Sequence, residues 1–148
     1  MQLGVNQFVV CQHIHTEPFL KTTLVGMPLA IVLPDVKKPS FPLQVLVQLQ
    51  GRRAGEATLK VDVSSDQSKK VLHSHEQKVA VPDTDPRVKE GEMYSIIHVK
   101  AMGALTFNEA GWFTFTVSID GEAKRKLKIQ VIEQKIKVAA PAAAATPS

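Results

Sequence analysis

The sequence predicts an all-β fold, a single antiparallel β-sandwich. Three observations predict it. Four segments alternate apolar and polar residues with a period of two, the pattern of strands with one buried and one wet face. No window of helical length carries apolar residues at three-and-four spacing. Clusters of Gly, Pro, Asn, Asp and Ser punctuate the chain at short intervals, as turns between short strands do. Such spacing suits a sandwich or barrel of about seven to nine strands.

From the N-terminus, less regular strands are expected at Val5–Ile14 and Leu20–Leu33, with Gly26 breaking the second into a bulge or bend. After the turn cluster Pro34–Pro42, Leu43, Val45, Val47 and Leu49 alternate with Gln44, Gln48 and Gln50. Beyond Gly51–Gly55, Ala57, Leu59, Val61 and Val63 alternate with Glu56, Thr58, Lys60 and Asp62. The turn Ser64–Lys69 leads to a strand at Val71–Val81, and Pro82–Gly91 leads to one at Met93–Lys100. After Asn108–Gly111, Phe113, Phe115, Val117 and Ile119 form a buried face opposite Trp112, Thr114, Thr116 and Ser118. Leu127, Ile129 and Val131 then alternate with Lys126, Lys128 and Gln130. Phe113 and Phe115 are the expected aromatic centre of the core.

The hairpin between the last two strands sets a register. A two-residue Asp120-Gly121 turn would pair Ile119 with Glu122, Val117 with Lys124 and Phe115 with Lys126, setting apolar residues against lysines. A three-residue loop, Ile119-Asp120-Gly121, pairs Ser118 with Glu122 and Val117 with Ala123. It puts Phe113 opposite Leu127 and Trp112 opposite Lys128, with Gly121 in the left-handed position. The three-residue loop is therefore expected. After Glu133 the phase shifts, because Ile132, Ile136 and Val138 share a parity. The sandwich domain is placed at residues 1–138. Residues 139–148 form an Ala/Pro tract with no charge and no large side chain, expected as a disordered, flexible tail.

The 148 residues suit one domain, and a chain of this size folds without disulfide or metal. Composition excludes a fully disordered chain, a collagen and a disulfide scaffold: 44% of residues are hydrophobic, 22% are charged and Cys11 is the one cysteine. A single cysteine suits a reducing compartment, and the N-terminus lacks the basic and apolar regions of a secretory signal. The longest apolar stretch, Leu24–Leu33, is interrupted by Gly26 and Pro28 and falls far short of the ~20 residues of a membrane span. A cytoplasmic protein is expected.

The net charge of +4 is unevenly placed. Between Ala123 and Val138, six basic residues oppose Glu133 alone, a local +5 against −1 for the rest. Lys124, Lys126 and Lys128, beside Trp112, Thr114 and Thr116, form the most distinctive surface. It reads as an anion, nucleic-acid or partner platform with Trp112 as a stacking group. It also reads as a solubilising outer face on which the Lys128 stem covers Trp112 and lysines guard an edge strand. The second reading is favoured, because one aromatic residue is thin support for base stacking.

Two histidine motifs are the other candidates. Cys11-x-His13-x-His15 would put three ligands on one strand face, with Glu17 in phase, and His73-x-His75 forms a second pair beside Glu76. Alternate histidines of one strand can share a metal. The plainer reading sets both pairs on the solvent face of edge strands, and Cys11 as a small buried hydrophobe. No nucleophile elbow, phosphate loop or dinucleotide fingerprint is present. No enzyme activity, resident metal or cofactor is expected.

Two stretches carry a family resemblance: Phe8-Val-Val-Cys-Gln-His-Ile-His-Thr-Glu17 with Lys21-Thr-Thr-Leu-Val-Gly-Met27, and Gly111-Trp-Phe-Thr-Phe-Thr-Val-Ser-Ile-Asp-Gly121, with Leu43–Gly51 matching weakly between them. They resemble the opening and closing patterns of a family of uncharacterised small bacterial proteins. The resemblance implies a cytoplasmic, immunoglobulin-like sandwich and brings no catalytic residue with it. The expected function is therefore non-catalytic: a structural or protein-interaction module, or a subunit of a larger assembly, with a protein partner or self-association. Anion or nucleic-acid binding through the basic strand and metal binding through the paired histidines are the alternatives.

Overall fold

The computed structural model describes residues 3–16, 22–26, 30–51, 55–81 and 94–135, and among them ten strands and no helix. The strands are β1 (Gly4–Cys11), β2 (His13–Thr16), β3 (Thr22–Val25), β4 (Ala30–Leu33), β5 (Pro42–Gly51), β6 (Gly55–Ser65), β7 (Val71–Val81), β8 (Tyr94–Ala104), β9 (Gly111–Ile119) and β10 (Glu122–Glu133). A three-stranded sheet has the order β1-β5-β8, and a five-stranded sheet has the order β4-β10-β9-β6-β7. A separate two-stranded ribbon joins β2 to β3. The all-β sandwich expected from the alternation is the observed class. All pairings are antiparallel except β4 with β10, which runs parallel.

The period-two phases of β5, β6 and β9 hold residue by residue. Val45, Val47 and Leu49 pack against Leu59, Val61 and Val63, and Phe113, Phe115 and Val117 are fully enclosed between the sheets. Phe107, which sequence pattern places in no strand, enters the core edge-on to Phe113 with ring centroids 4.9 Å apart, a favourable aromatic geometry. Phe107, Leu105 and Val36 belong to connections that fold over the end of the sandwich, tied by Ser40 N–H to the Leu105 carbonyl at 2.8 Å and Asn108 N–H to that of Val36 at 3.0 Å.

Three expectations are corrected. The strand expected over Val5–Ile14 breaks at Gln12, where the chain leaves the sheet and starts the β2–β3 ribbon. The ribbon lays Ile14 over Cys11 and Leu46, outward-facing residues of β1 and β5 that would otherwise lie bare. Gly26 closes the ribbon at φ +68°, and its carbonyl accepts from Gln12 N–H at 3.1 Å. A Cβ there would sit 2.5 Å from Gln12 Oε1. The Met93–Lys100 strand runs on to Ala104, so β8 matches the full length of β5.

The third correction is the last hairpin. Its loop has two residues: Ile119 pairs with Glu122, and Asp120 and Gly121 both have positive φ, as a type I′ turn requires. The clash of phases that argued against this turn is removed by a bulge. Ala123 pairs with Ser118, Arg125 with Val117, and Lys124 is the extra residue. From there Leu127 meets Phe115, Ile129 meets Phe113 and Gln130 meets Trp112. Pro82–Gly91, Ile136–Val138 and the tract 139–148 lie outside the described residues.

Candidate functional site

The outer face of the five-stranded sheet carries the lysine ribbon, but the bulge rearranges it. Lys124 turns its ammonium to Glu122 at 3.3 Å and keeps a largely buried side chain. Lys126 and Lys128 lie opposite Thr116 and Thr114 on the outer face. Lys128 pairs with Asp66 Oδ2 at 3.1 Å, and Asp66 Oδ1 accepts the Thr114 hydroxyl at 2.5 Å. The Thr114 hydroxyl and the Lys128 ammonium hold the Asp66 carboxyl below its ordinary range. Lys124 and Lys128 thus each have a carboxylate partner, and the Lys128 ammonium is directed across β9 to Asp66, whose N–H donates to the Trp112 carbonyl at 3.0 Å.

Trp112 is instead part of an apolar group that sequence reasoning missed. It is 49% exposed and lies opposite Gln130, diagonal to Ile132. Ile132, 37% exposed, pairs in register with Val32 of β4, 47% exposed. Diagonal neighbours stand ~7–8 Å apart, within reach of an indole. These three residues share the outer face of the adjacent strands β9, β10 and β4. A lone exposed apolar residue means little, whereas a group on adjacent strands has the composition of an interface centre. The signal in sequence was Ile132 continuing the outer phase of Lys126, Lys128 and Gln130. The β4 partner could not be read, because a parallel pairing is set by distant chain topology.

The histidines are separated in the structure. His13 and His15 share the exposed side of β2, on either side of buried Ile14. Cys11 does not join them: it ends β1, fully buried under the ribbon, with its Sγ 3.6 Å from the His13 carbonyl and 3.8 Å from that of Gln44. Burial pushes its thiol up, which disfavours the reactive thiolate. Glu17 lies outside the described residues.

His73 and His75 are not on the solvent face expected for them. They pair with buried Val63 and Val61, so they point inward from β7, an edge of the five-stranded sheet, and are half-buried. Across the sandwich lies β8, an edge of the other sheet, with His98 and Lys100 inward opposite Val47 and Val45. Lys100 Nζ donates to Gln77 Oε1 at 3.1 Å, tying the edges together, and His73 Nε2 lies 2.9 Å from the Thr106 carbonyl. At the opposite side Arg125 Nε donates to the Val5 carbonyl at 3.1 Å, a matching tie between sheets. No group of three metal-ligating side chains in binding geometry is found among the described residues, and no helix there is long and apolar enough to cross a membrane.

Residues 6–132 match a family described as "Family of unknown function (DUF6941)". No curated protein sequence matches the chain. Among solved structures, an alkylpurine DNA glycosylase from Pseudomonas fluorescens bound to DNA with an abasic-site analogue is similar over 88% of this chain and 30% of its own, at 9% identity and TM-score 0.47. This chain thus spans about a third of that enzyme's length. An immunoglobulin-like protein from Pseudomonas aeruginosa is similar over 88% of this chain and 97% of its own, at 9% identity and TM-score 0.45. A β-D-glucoside glucohydrolase from Trichoderma reesei is similar over 88% of this chain and 19% of its own, at 10% identity and TM-score 0.43.

Proposed function

The chain belongs to the family of unknown function DUF6941, and from that premise, which brings no activity with it, we propose a non-catalytic protein-interaction module. It acts as a subunit of a larger assembly and docks a protein partner on the outer face of the five-stranded sheet. One observation carries the reading: Trp112, Ile132 and Val32 expose large apolar surface on three adjacent strands. Adjacent exposed apolar side chains of this kind mark interaction sites on folded proteins. Lys126 and Lys128, beside it on the same face, supply a polar margin. The carboxylate partners of Lys124 and Lys128 weigh against a phosphate-binding surface. The single cysteine, which forms no internal disulfide, fits a reducing compartment such as the cytoplasm as the setting.

The test compares the natural chain with Trp112→Ser and Ile132→Lys. Retention of native-host proteins, identified by mass spectrometry, is measured beside light scattering for self-association and a salt series with single-stranded DNA. Loss of one defined protein partner, or of self-association, by tenfold or more in both variants is the expected result. Unchanged retention refutes the surface. Micromolar DNA binding at physiological salt that disappears when Lys126 and Lys128 become Gln refutes the class of partner.

A further inference from the structure

We infer that the seam between β7 and β8 is an acid-sensitive latch: hydrogen bonds of Lys100 to Gln77 and of His73 to Thr106 close it while the inward imidazoles are neutral, and protonation of His75 and His98 beside Lys100 parts β7 from β8. The argument is one of placement. His73, His75 and Gln77 face inward from β7, and His98 and Lys100 face inward from β8. No β-ladder joins these two strands, since each is the last strand of its own sheet. Two hydrogen bonds cross the seam among the described residues, Lys100 to Gln77 and His73 with the carbonyl of Thr106, which follows β8, beside the core cluster that the strands enter through Val79 and Met102.

The groups around each imidazole offer a proton no stabilising partner. His75 has His73 and Gln77 beside it on β7, apolar Val61 opposite on β6, and the Lys100 ammonium acting from β8. His98 has Lys100 two residues along and apolar Val47 opposite on β5. Its Nε2 is buried with no hydrogen-bond partner among the described residues. A protonated ring there would carry an unpaired N–H and a positive charge next to an ammonium, in a partly dry seam. Burial, with Lys100 second, holds both imidazoles below the ordinary histidine range. The sign follows. Above about pH 6.5, the ordinary histidine value, folded and unfolded chains both carry neutral rings and the fold bears no penalty. As pH falls below that value the unfolded chain takes up protons first, so stability declines until the lowered native values are passed. Each edge strand is held by a ladder on one side only, β7 to β6 and β8 to β5, so the acid form is relieved where no ladder exists, by β7 parting from β8.

The experiment uses the full chain in urea titrations from pH 7.5 to 5.5, with amide hydrogen exchange at both ends of the range. Two results are expected. The unfolding constant rises more than about threefold on acidification, and the amides of residues 71–81 lose protection, corrected for intrinsic rates, while those of β9 and β10 keep theirs. His75→Gln with His98→Gln flattens the dependence, and His13→Gln with His15→Gln on the exposed ribbon leaves it intact. Should the first pair fail to fold, imidazole NMR titration of the natural chain decides, with two rings titrating below the ordinary range expected, and Lys100→Met shallows the slope. A flat profile in the natural chain, a slope that survives His75→Gln/His98→Gln, or exchange that rises uniformly over both sheets overturns the latch.

Discussion

Deleting Lys124 is a sharp test of how the last hairpin is built. In the structure Ala123 pairs with Ser118 and Arg125 with Val117, so Lys124 has no partner of its own. Removing it closes the bulge and keeps every later pair, Leu127 with Phe115 and Ile129 with Phe113 among them. The losses are the ion pair to Glu122, which is mostly exposed, and the packing of one lysine stem. An ion pair of that kind is worth about 0–1 kcal/mol, and the stem adds a comparable amount. The variant should therefore lose less than about 2 kcal/mol, with an unchanged denaturant slope. A three-residue loop without a bulge gives the opposite result. There the deletion turns the whole strand over, sending Ile129 and Val131 outward. Both are buried, and exposing two such side chains costs about 3–6 kcal/mol, much of a typical domain's stability. Urea titration followed by circular dichroism separates the two. A loss above about 3 kcal/mol, or a chain that no longer folds, refutes the bulge.

Three other outcomes follow from particular contacts. Phe113→Ala should cost about 3–5 kcal/mol in the same titration, because the ring is fully enclosed and set edge-on to Phe107; a cost below 1 kcal/mol would show the strand face to be inverted. Gly26→Ala should cost about 1–2 kcal/mol from its left-handed backbone alone. Adding Gln12→Ala should recover the steric part and leave that backbone part. Asp66→Asn should flatten the loss of stability below about pH 4. The carboxyl's native value is lowered by Thr114 and then Lys128, so its contribution is full above the unfolded value of ~3.9 and fades as pH drops through the native one.

The fold was legible where one face is dry and the other wet. β5, β6 and β9 each have neighbours on both sides and a core beneath, so burial writes a strict period of two into them. The failures share a cause as well. Lys124 is one residue that shifts phase without changing composition, and no local pattern distinguishes a bulge from a longer loop. The plainer reading of Cys11 as a small buried hydrophobe holds, and its alternative as a ligand in phase with His13 fails because the chain bends at Gln12 between them. His73 and His75 looked solvent-facing because polar residues fill both faces of β7. An edge strand lets inward side chains reach water sideways, and the inner face there need not be apolar. Val32, Ile132 and Trp112 come together through a parallel pairing that spans a hundred residues of sequence, which pattern alone cannot specify.

The proposed interaction surface lies on the outer face over β4, β10 and β9 and the proposed latch at the β7 border, and this makes them separable. Val32 is on β4 and the histidine pair on β7, with β10, β9 and β6 between. Four strand spacings put Val32 about 19 Å from β7 at ~4.8 Å each, more than twice the ~8 Å screening length at physiological salt, while Trp112 on β9 lies two spacings, about 10 Å, from β7. The three surface side chains are uncharged and lie on the outer face, whereas the histidines point inward, so protonation at the seam acts on the surface chiefly by moving the sheet. Ile132→Lys replaces a side chain already 37% exposed, a change worth within about 0.5 kcal/mol at most surface positions. It should abolish partner retention and leave the slope of stability between pH 7.5 and 5.5 as it is in the natural chain. His75→Gln with His98→Gln should do the reverse. If Ile132→Lys alters the acid slope, the two borders are mechanically coupled through β10 and β9, and the surface and the latch are one device.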